Sequence, residues 1–102
     1  MIARYWSARL PAQNLPAYRE HLERSVFPGL KSIPGFVRAE LLVRDLAGAE
    51  LEVVVLSVWQ SLKAIDAFAN PDREAAVVAP AAAALFTTYD RRVRHYEISS
   101  NA

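Results

Sequence analysis

Apolar positions alternate, or run together, in four stretches of the chain, and they recur at helical spacing in two others. The densest stretch is Glu50 to Trp59, where Val53, Val54, Val55 and Val58 are β-branched and predict a strand. Leu51, Val53, Val55 and Trp59 share one parity, and Val54, Leu56 and Val58 share the other. A strand apolar on both parities belongs at the centre of a sheet, covered on both faces. Leu62, Ile65 and Phe68 follow at a spacing of three and predict a helix with Ser61 as its N-cap.

The rest of the chain is punctuated by proline and glycine. Ile2 to Leu10 reads as a first strand, with Ile2, Trp6, Ala8 and Leu10 on one face together with Arg4, and Pro11 ends it. Asn14 is the expected N-cap of a first helix, whose apolar stripe is Leu15, Tyr18, Leu22 and Val26, and Pro28-Gly29 is expected to close it. After the turn Ile33-Pro34-Gly35-Phe36 comes a second strand, Phe36 to Arg44. Val37, Ala39, Leu41 and Val43 should lie under helices, while Phe36, Arg38, Glu40, Leu42 and Arg44 form a mixed face. Asp45 to Ala49, with Gly48, is a hairpin loop. Asp72 should cap another turn or two through Val78, Pro80 breaks or kinks that segment, and helix resumes over Ala81 to Phe86. Tyr89 to Ile98 is the last strand, with Val93, His95 and Glu97 on one side.

This order, β-α-β-β-α-β, predicts an α+β fold of the ferredoxin-like kind, an antiparallel sheet with both helices on one face. The opposite face is left open although the central strand is apolar there too. A lone chain would expose a large apolar surface, so a homodimer with its open faces packed together is expected.

Composition narrows the chemistry. The sequence has 102 residues, enough for one domain, which we place at residues 1–99 with a loose tail at 100–102. A formal net charge of +1 gives no field that would gather nucleic acid. There is no cysteine, and neither His21 nor His95 has a neighbour at metal-ligand spacing, so no metal site is expected. The first residues lack a signal-peptide apolar core, and the longest uncharged run, Ala75 to Tyr89, is too short for a bilayer and holds Pro80. A soluble cytoplasmic protein without membrane contacts is the expectation.

Several of these residues resemble the antibiotic biosynthesis monooxygenase family. They are Pro34-Gly35-Phe36, the block Leu56-Ser57-Val58-Trp59, then Ser61, Ala64-Ile65 and Ala67-Phe68, with Ile2-Ala3-Arg4 and His95-Tyr96-Glu97 similar to one bacterial subgroup. The resemblance spans about residues 2 to 98 and implies a dimeric α+β barrel in which two sheets face each other. Members of the family include cofactor-free monooxygenases of aromatic polyketides, quinol monooxygenases and haem-degrading enzymes. The haem-degrading pattern calls for a Trp after the central strand, a His ten residues on and an Asn on the first strand. This chain has Phe68 and Val78 at the first two positions, and Trp6 and Ser7 but no Asn on the strand. The polar run that the subgroup often carries after its second helix is here Val77-Val78-Ala79-Pro80-Ala81.

The residues that could carry chemistry are few. His95 could act as acid or base toward a phenol, or could be a strand histidine bonded to its neighbours. Trp59 and Trp6 could wall a pocket for a planar aromatic ligand, or could be core. Arg38 could pair with a substrate anion, or could be, with Glu40, an edge charge. Arg91, Arg92 and Arg94, with Arg4 and Arg9 nearby, read as solvated surface, Tyr18 as part of the helical stripe and His21 as exposed at its edge. The reading that results is a cofactor-independent monooxygenase of an aromatic quinol or polyketide, with His95 as base, Trp59 and Trp6 as walls and Arg38 as anion partner. The alternative is a dimeric barrel that binds a hydrophobic metabolite, or nothing, without turnover.

Overall fold

In the computed structural model, which describes residues 1–102, four strand positions form one antiparallel sheet in the order β2-β3-β1-β4, with β5 also on β1. The strands are β1 (Ile2–Pro11), β2 (Phe36–Asp45), β3 (Glu50–Trp59), β4 (Thr88–Tyr89) and β5 (Arg94–Glu97). β4 and β5 both pair with β1, Tyr89 opposite Ala8 and His95 opposite Arg4, so they are two pieces of one interrupted edge strand. The expected continuous strand from Tyr89 to Ile98 is broken because Asp90 to Val93 turn to another partner. The Ala76 N–H donates to Arg91 O at 2.9 Å and the Val93 N–H to Glu74 O at 2.8 Å. Residues 75–79 therefore form an extended strap and not the helical turns expected there. Asp72 caps only one turn, accepting from the Glu74 N–H at 3.0 Å.

The first helix is longer than its prolines suggest. α1 (Leu15–His21) passes into a π-type segment (Leu22–Val26) and then into α2 (Phe27–Lys31) without a break. Pro28 does not end it. A helical proline clashes with the carbonyl four residues earlier, here Arg24, and that carbonyl lies in the widened π segment, where the Phe27 N–H reaches back to Leu22 O. Asn14 sits at the N-cap but makes no cap; its Nδ2 donates instead to Leu85 O at 3.0 Å, tying the helix start to the end of α4 (Pro80–Ala83). Ser61 does cap α3 (Leu62–Ile65), its Oγ accepting from the Ala64 N–H at 3.2 Å. No helix is long and apolar enough to cross a membrane.

The helices cover the sheet face that carries Arg4, Trp6, Ala8 and Leu10 of β1 and Leu51, Val53, Val55, Ser57 and Trp59 of β3, which pair across the sheet in register. A bulge between Phe36 and Arg38 shifts β2, so that Phe36 joins this face against Trp59 and Val37 turns outward, 40% exposed. Gly35 permits the turn before it. Its φ is +91°, and a Cβ there would lie 2.6 Å from the Ala64 Cβ. The opposite face carries Tyr5, Ser7, Val54 and Leu56, half-buried, with Leu42 and Tyr96 exposed at 44% and 51%. No helix covers it.

The buried residues form two clusters. Trp6, Ala8, Leu10, Tyr18, Leu22, Leu51, Val53, Ala82 and Val93 make one, and Leu30, Trp59, Ile65 and Ala69 make the other.

Candidate functional site

Between the two clusters the helix layer and the sheet do not close. The gap is a cavity of about 430 Å³, and 14 of its 19 lining residues are hydrophobic, so an occupant must be largely apolar. The sheet supplies Arg4, Trp6, Val55 and Ser57, and the first helix supplies Tyr18, His21, Leu22, Ser25, Val26 and Leu30. Phe68, after α3, and the strap residues Val77, Val78 and Ala79 add to the wall.

Trp6 is fixed in this wall by its Nε1–H, which donates to Asp90 O at 2.7 Å, and by a cluster of rings. Phe86 lies edge-on at 5.5 Å and Tyr18 at 6.5 Å between centroids. Tyr18 is buried to 3% and finds no hydrogen-bond partner in the protein, and burial raises its phenol above the ordinary tyrosine range. It is thus a neutral donor at the cavity wall. His21 stacks on it at 6.4 Å and is half-buried, not the exposed edge residue its place in the sequence suggested.

Arg4 is the exceptional member of the site. It is 4% exposed, lies on an apolar sheet face, and takes part in no ion pair. Its Nη1 donates to Arg73 O at 2.6 Å and meets His95 Nε2 at 2.9 Å, and its Nη2 donates to Ala75 O at 2.9 Å. The guanidinium also stands 5.5 Å from the ring centroid of Phe68. Desolvation pulls its pKa down to about 10, which leaves it a cation at neutral pH. The sequence placed Arg4 among hydrophobic residues on one parity of β1, yet grouped with the basic cluster it was expected at a solvated surface, and the structure buries it. That misfit of charge and parity was the available signal.

The four residues singled out from the sequence do not meet. Trp6 lines the cavity. Trp59 is wholly buried in the second cluster, its Nε1–H donating to Ser57 Oγ at 2.9 Å. Arg38 projects from the open face of the sheet and pairs there with Glu40. His95 stands behind Arg4 and does not line the cavity. Its imidazole accepts from the arginine and so is neutral, and its pKa is lowered first by burial and then by the Arg4 charge. The basic cluster is dispersed. Arg91 lies on Tyr89, Arg92 binds Asp72 at 2.8 Å, and Arg94 lies over Tyr5 at 4.9 Å.

A family model for antibiotic biosynthesis monooxygenase matches residues 1–79. The chain belongs to the antibiotic biosynthesis monooxygenase family. Among curated proteins none matches its sequence. Solved structures share the fold of the family across nearly the whole chain. The haem-degrader MhuD of Mycobacterium tuberculosis, with two haems in its active site, is 22% identical at a TM-score of 0.68, covering 100% of this chain and 99% of its own. A mutant of MhuD with two manganese protoporphyrin IX groups per active site is 23% identical at 0.69, covering 100% and 98%. A Bacillus cereus protein assigned as an antibiotic biosynthesis monooxygenase is 18% identical at 0.58, covering 99% and 91%.

The cavity does not fit a porphyrin iron held in the haem-degrading pattern. Phe68 and Val78 both line it, and neither offers a nitrogen or sulfur to a metal. The one imidazole on the wall, His21, comes from the first helix.

The contact between His95 and Arg4 makes a pH prediction. A histidine whose pKa is lowered by folding stabilises the protein above its unfolded value of about 6.5, and that contribution is lost as pH falls through the folded value. Protonation would place a second cation against Arg4, with Arg73 adding repulsion and Glu74 opposing it. Denaturant midpoints of the wild type should therefore fall on acidification more steeply than those of His95→Gln, whose amide oxygen accepts from Arg4 at every pH. Parallel curves for the two proteins would refute the contact.

Proposed function

We propose that the cavity is an oxygenase site for a planar aromatic compound with an acidic hydroxyl or an activated ring carbon, such as a quinol or an anthrone, and that it works without a cofactor. One observation carries this reading. In a family of monooxygenases, an apolar cavity has a buried guanidinium in its wall with no carboxylate to neutralise it. Such a cation, fixed on backbone carbonyls, stabilises a substrate oxyanion without reorganising.

In this mechanism Arg4 lowers the substrate's pKa and His21 takes the proton. The electron-rich anion then gives an electron to dioxygen, and the resulting carbon radical and superoxide combine. His21 returns its proton to the peroxide anion so formed, and for an anthrone the resulting hydroperoxide loses water, so that R₂CH₂ and O₂ become R₂C=O and H₂O. Trp6 and Phe68 hold the ring system, and Tyr18 donates a hydrogen bond to it. His95 serves by holding Arg4, a change from its expected role as base.

Oxygen uptake with a panel of anthrones and hydroquinones tests the reading. The wild type should exceed a protein-free control. Arg4→Met should lose roughly 100-fold or more in kcat, the size expected for removing an oxyanion donor. Wild-type uptake at the level of the control on every substrate would sink the proposal. Val77, Val78 and Ala79 favour the second reading, binding without turnover, since this strap puts no acid or base into the wall. Native mass spectrometry of the purified protein would then show a bound hydrophobic compound that oxygen leaves unchanged.

The proposal includes a homodimer. Leu42 and Tyr96, exposed, and Tyr5, Val54 and Leu56, half-buried, form an apolar face that no element of the chain covers, and a second copy is the occupant that the fold offers.

A further inference from the structure

We infer that the ligand of this cavity is an aromatic carboxylate, gripped by the Nε–H and the second Nη2–H of Arg4 as a bidentate pair. This rests on the reading of the cavity as a site for a planar aromatic and changes one part of it: the anion on Arg4 is a carboxylate that the aromatic carries, not the oxyanion of its ring, so Arg4 orients the substrate.

A guanidinium has five N–H groups in a fixed fork. In Arg4 both Nη1 hydrogens are engaged, by Arg73 O and His95 Nε2, and one Nη2 hydrogen is engaged by Ala75 O. The two that remain belong to Nε and Nη2, neighbouring nitrogens of the fork. Nε is not sealed in protein: it has no protein partner, and the one buried side-chain polar atom left without partner or solvent is Glu50 Oε1. The open space that Arg4 borders is the cavity.

The same chain shows what this edge selects. Arg73 uses its Nε and Nη2 to hold both oxygens of Asp66, each at 2.8 Å, whereas Arg44 sets the same two nitrogens on the single oxygen Glu52 Oε1 at 3.1 and 2.9 Å. Arg4 is the one arginine that borders the apolar cavity. A phenolate would have to share its one oxygen between two donors, as Glu52 Oε1 does, whereas a carboxylate can give each donor its own oxygen in two parallel bonds, as Asp66 does. The cation also needs a counter-charge, since an unpaired charge in a desolvated wall is costly. Two backbone carbonyls and His95 hold the other donors, so the fork is aimed before a ligand arrives.

Anthraquinone-2-carboxylate and its neutral isostere anthraquinone-2-carboxamide, titrated into the intact protein by calorimetry and tryptophan quenching, separate the possibilities. The wild type should bind the carboxylate roughly 10- to 100-fold more tightly, the range for hydrogen bonds to a charged group. Arg4→Lys keeps the charge but not the fork and should shrink the preference to a few-fold, while Arg4→Gln should abolish it. Equal affinities in the wild type, or an undiminished preference in either folded variant, would overturn the inference. The wild-type comparison stands even if a variant fails to fold. Carboxylate preference with no oxygen uptake on any quinol would uphold this inference and defeat the oxygenase reading. Uptake that is equally fast on neutral and carboxylated quinols would overturn this inference and leave the oxygenase reading intact.

Discussion

Trp59→Ala should remove about 3–5 kcal/mol of stability, the usual cost of deleting a buried tryptophan, and so a large part of what holds a domain of this size together. The indole is fully buried. Phe36 packs edge-on against it at 5.2 Å and Phe68 stacks on it at 6.1 Å, and Ser57 satisfies its N–H. Deleting it would empty the smaller of the two clusters and leave a buried serine hydroxyl without its donor. Trp59→Phe, which keeps an aromatic body in the site, should recover more than half of the loss in a urea titration. The opposite pattern would return Trp59 to the list of ligand walls. It would consist of near-native stability for Trp59→Ala together with lost binding of anthraquinone-2-carboxylate.

Periodicity could not distinguish Trp59 from Trp6, because both sit on the helix-facing parity of neighbouring strands. What separates them is position along the sheet. Trp59, at the end of β3, is covered by Ile65 and Leu30, whereas Trp6, in the middle of β1, borders the gap between the clusters. Strand parities, except at the Phe36–Arg38 bulge that swaps Phe36 and Val37, the hairpin and the Ser61 cap were legible because each depends on residues a few positions apart. Pro28 misled, since local chemistry forbids a proline in a regular helix but not after a widened turn. The strap misled for a different reason. Its backbone partners, Arg91 and Val93, lie more than a dozen residues downstream and draw it into an extended path. The site was the least legible part. Arg4 depends on Arg73, Ala75 and His95, which are remote in sequence, and two of those contacts are to backbone carbonyls that no side-chain pattern records. Arg38 shows the converse. Its parity was read correctly as the mixed face, but that face turns away from the cavity.

Val54→Lys should convert the proposed homodimer to a folded monomer. In the single chain Val54 is half-buried at the middle of the open face, opposite Ser7 on β1 and Leu42 on β3's other neighbour, β2. A lysine there can lay its stem on the sheet and carry its ammonium to water, so the subunit should keep its fold and its circular dichroism. When two such faces are pressed together the charge is taken out of water. A two-fold interface repeats the fault, once from each subunit. One uncompensated buried charge costs about 3–5 kcal/mol, or roughly 100- to 1,000-fold or more in dimer affinity. In sedimentation equilibrium at micromolar concentration the wild type should weigh twice the 11.4 kDa of the chain, and the variant should weigh 11.4 kDa. A wild type that sediments as a single subunit would leave the open face unexplained and remove the dimer from the proposal. It would not disturb the cavity, which lies on the other side of the sheet, against Arg4, Trp6, Val55 and Ser57.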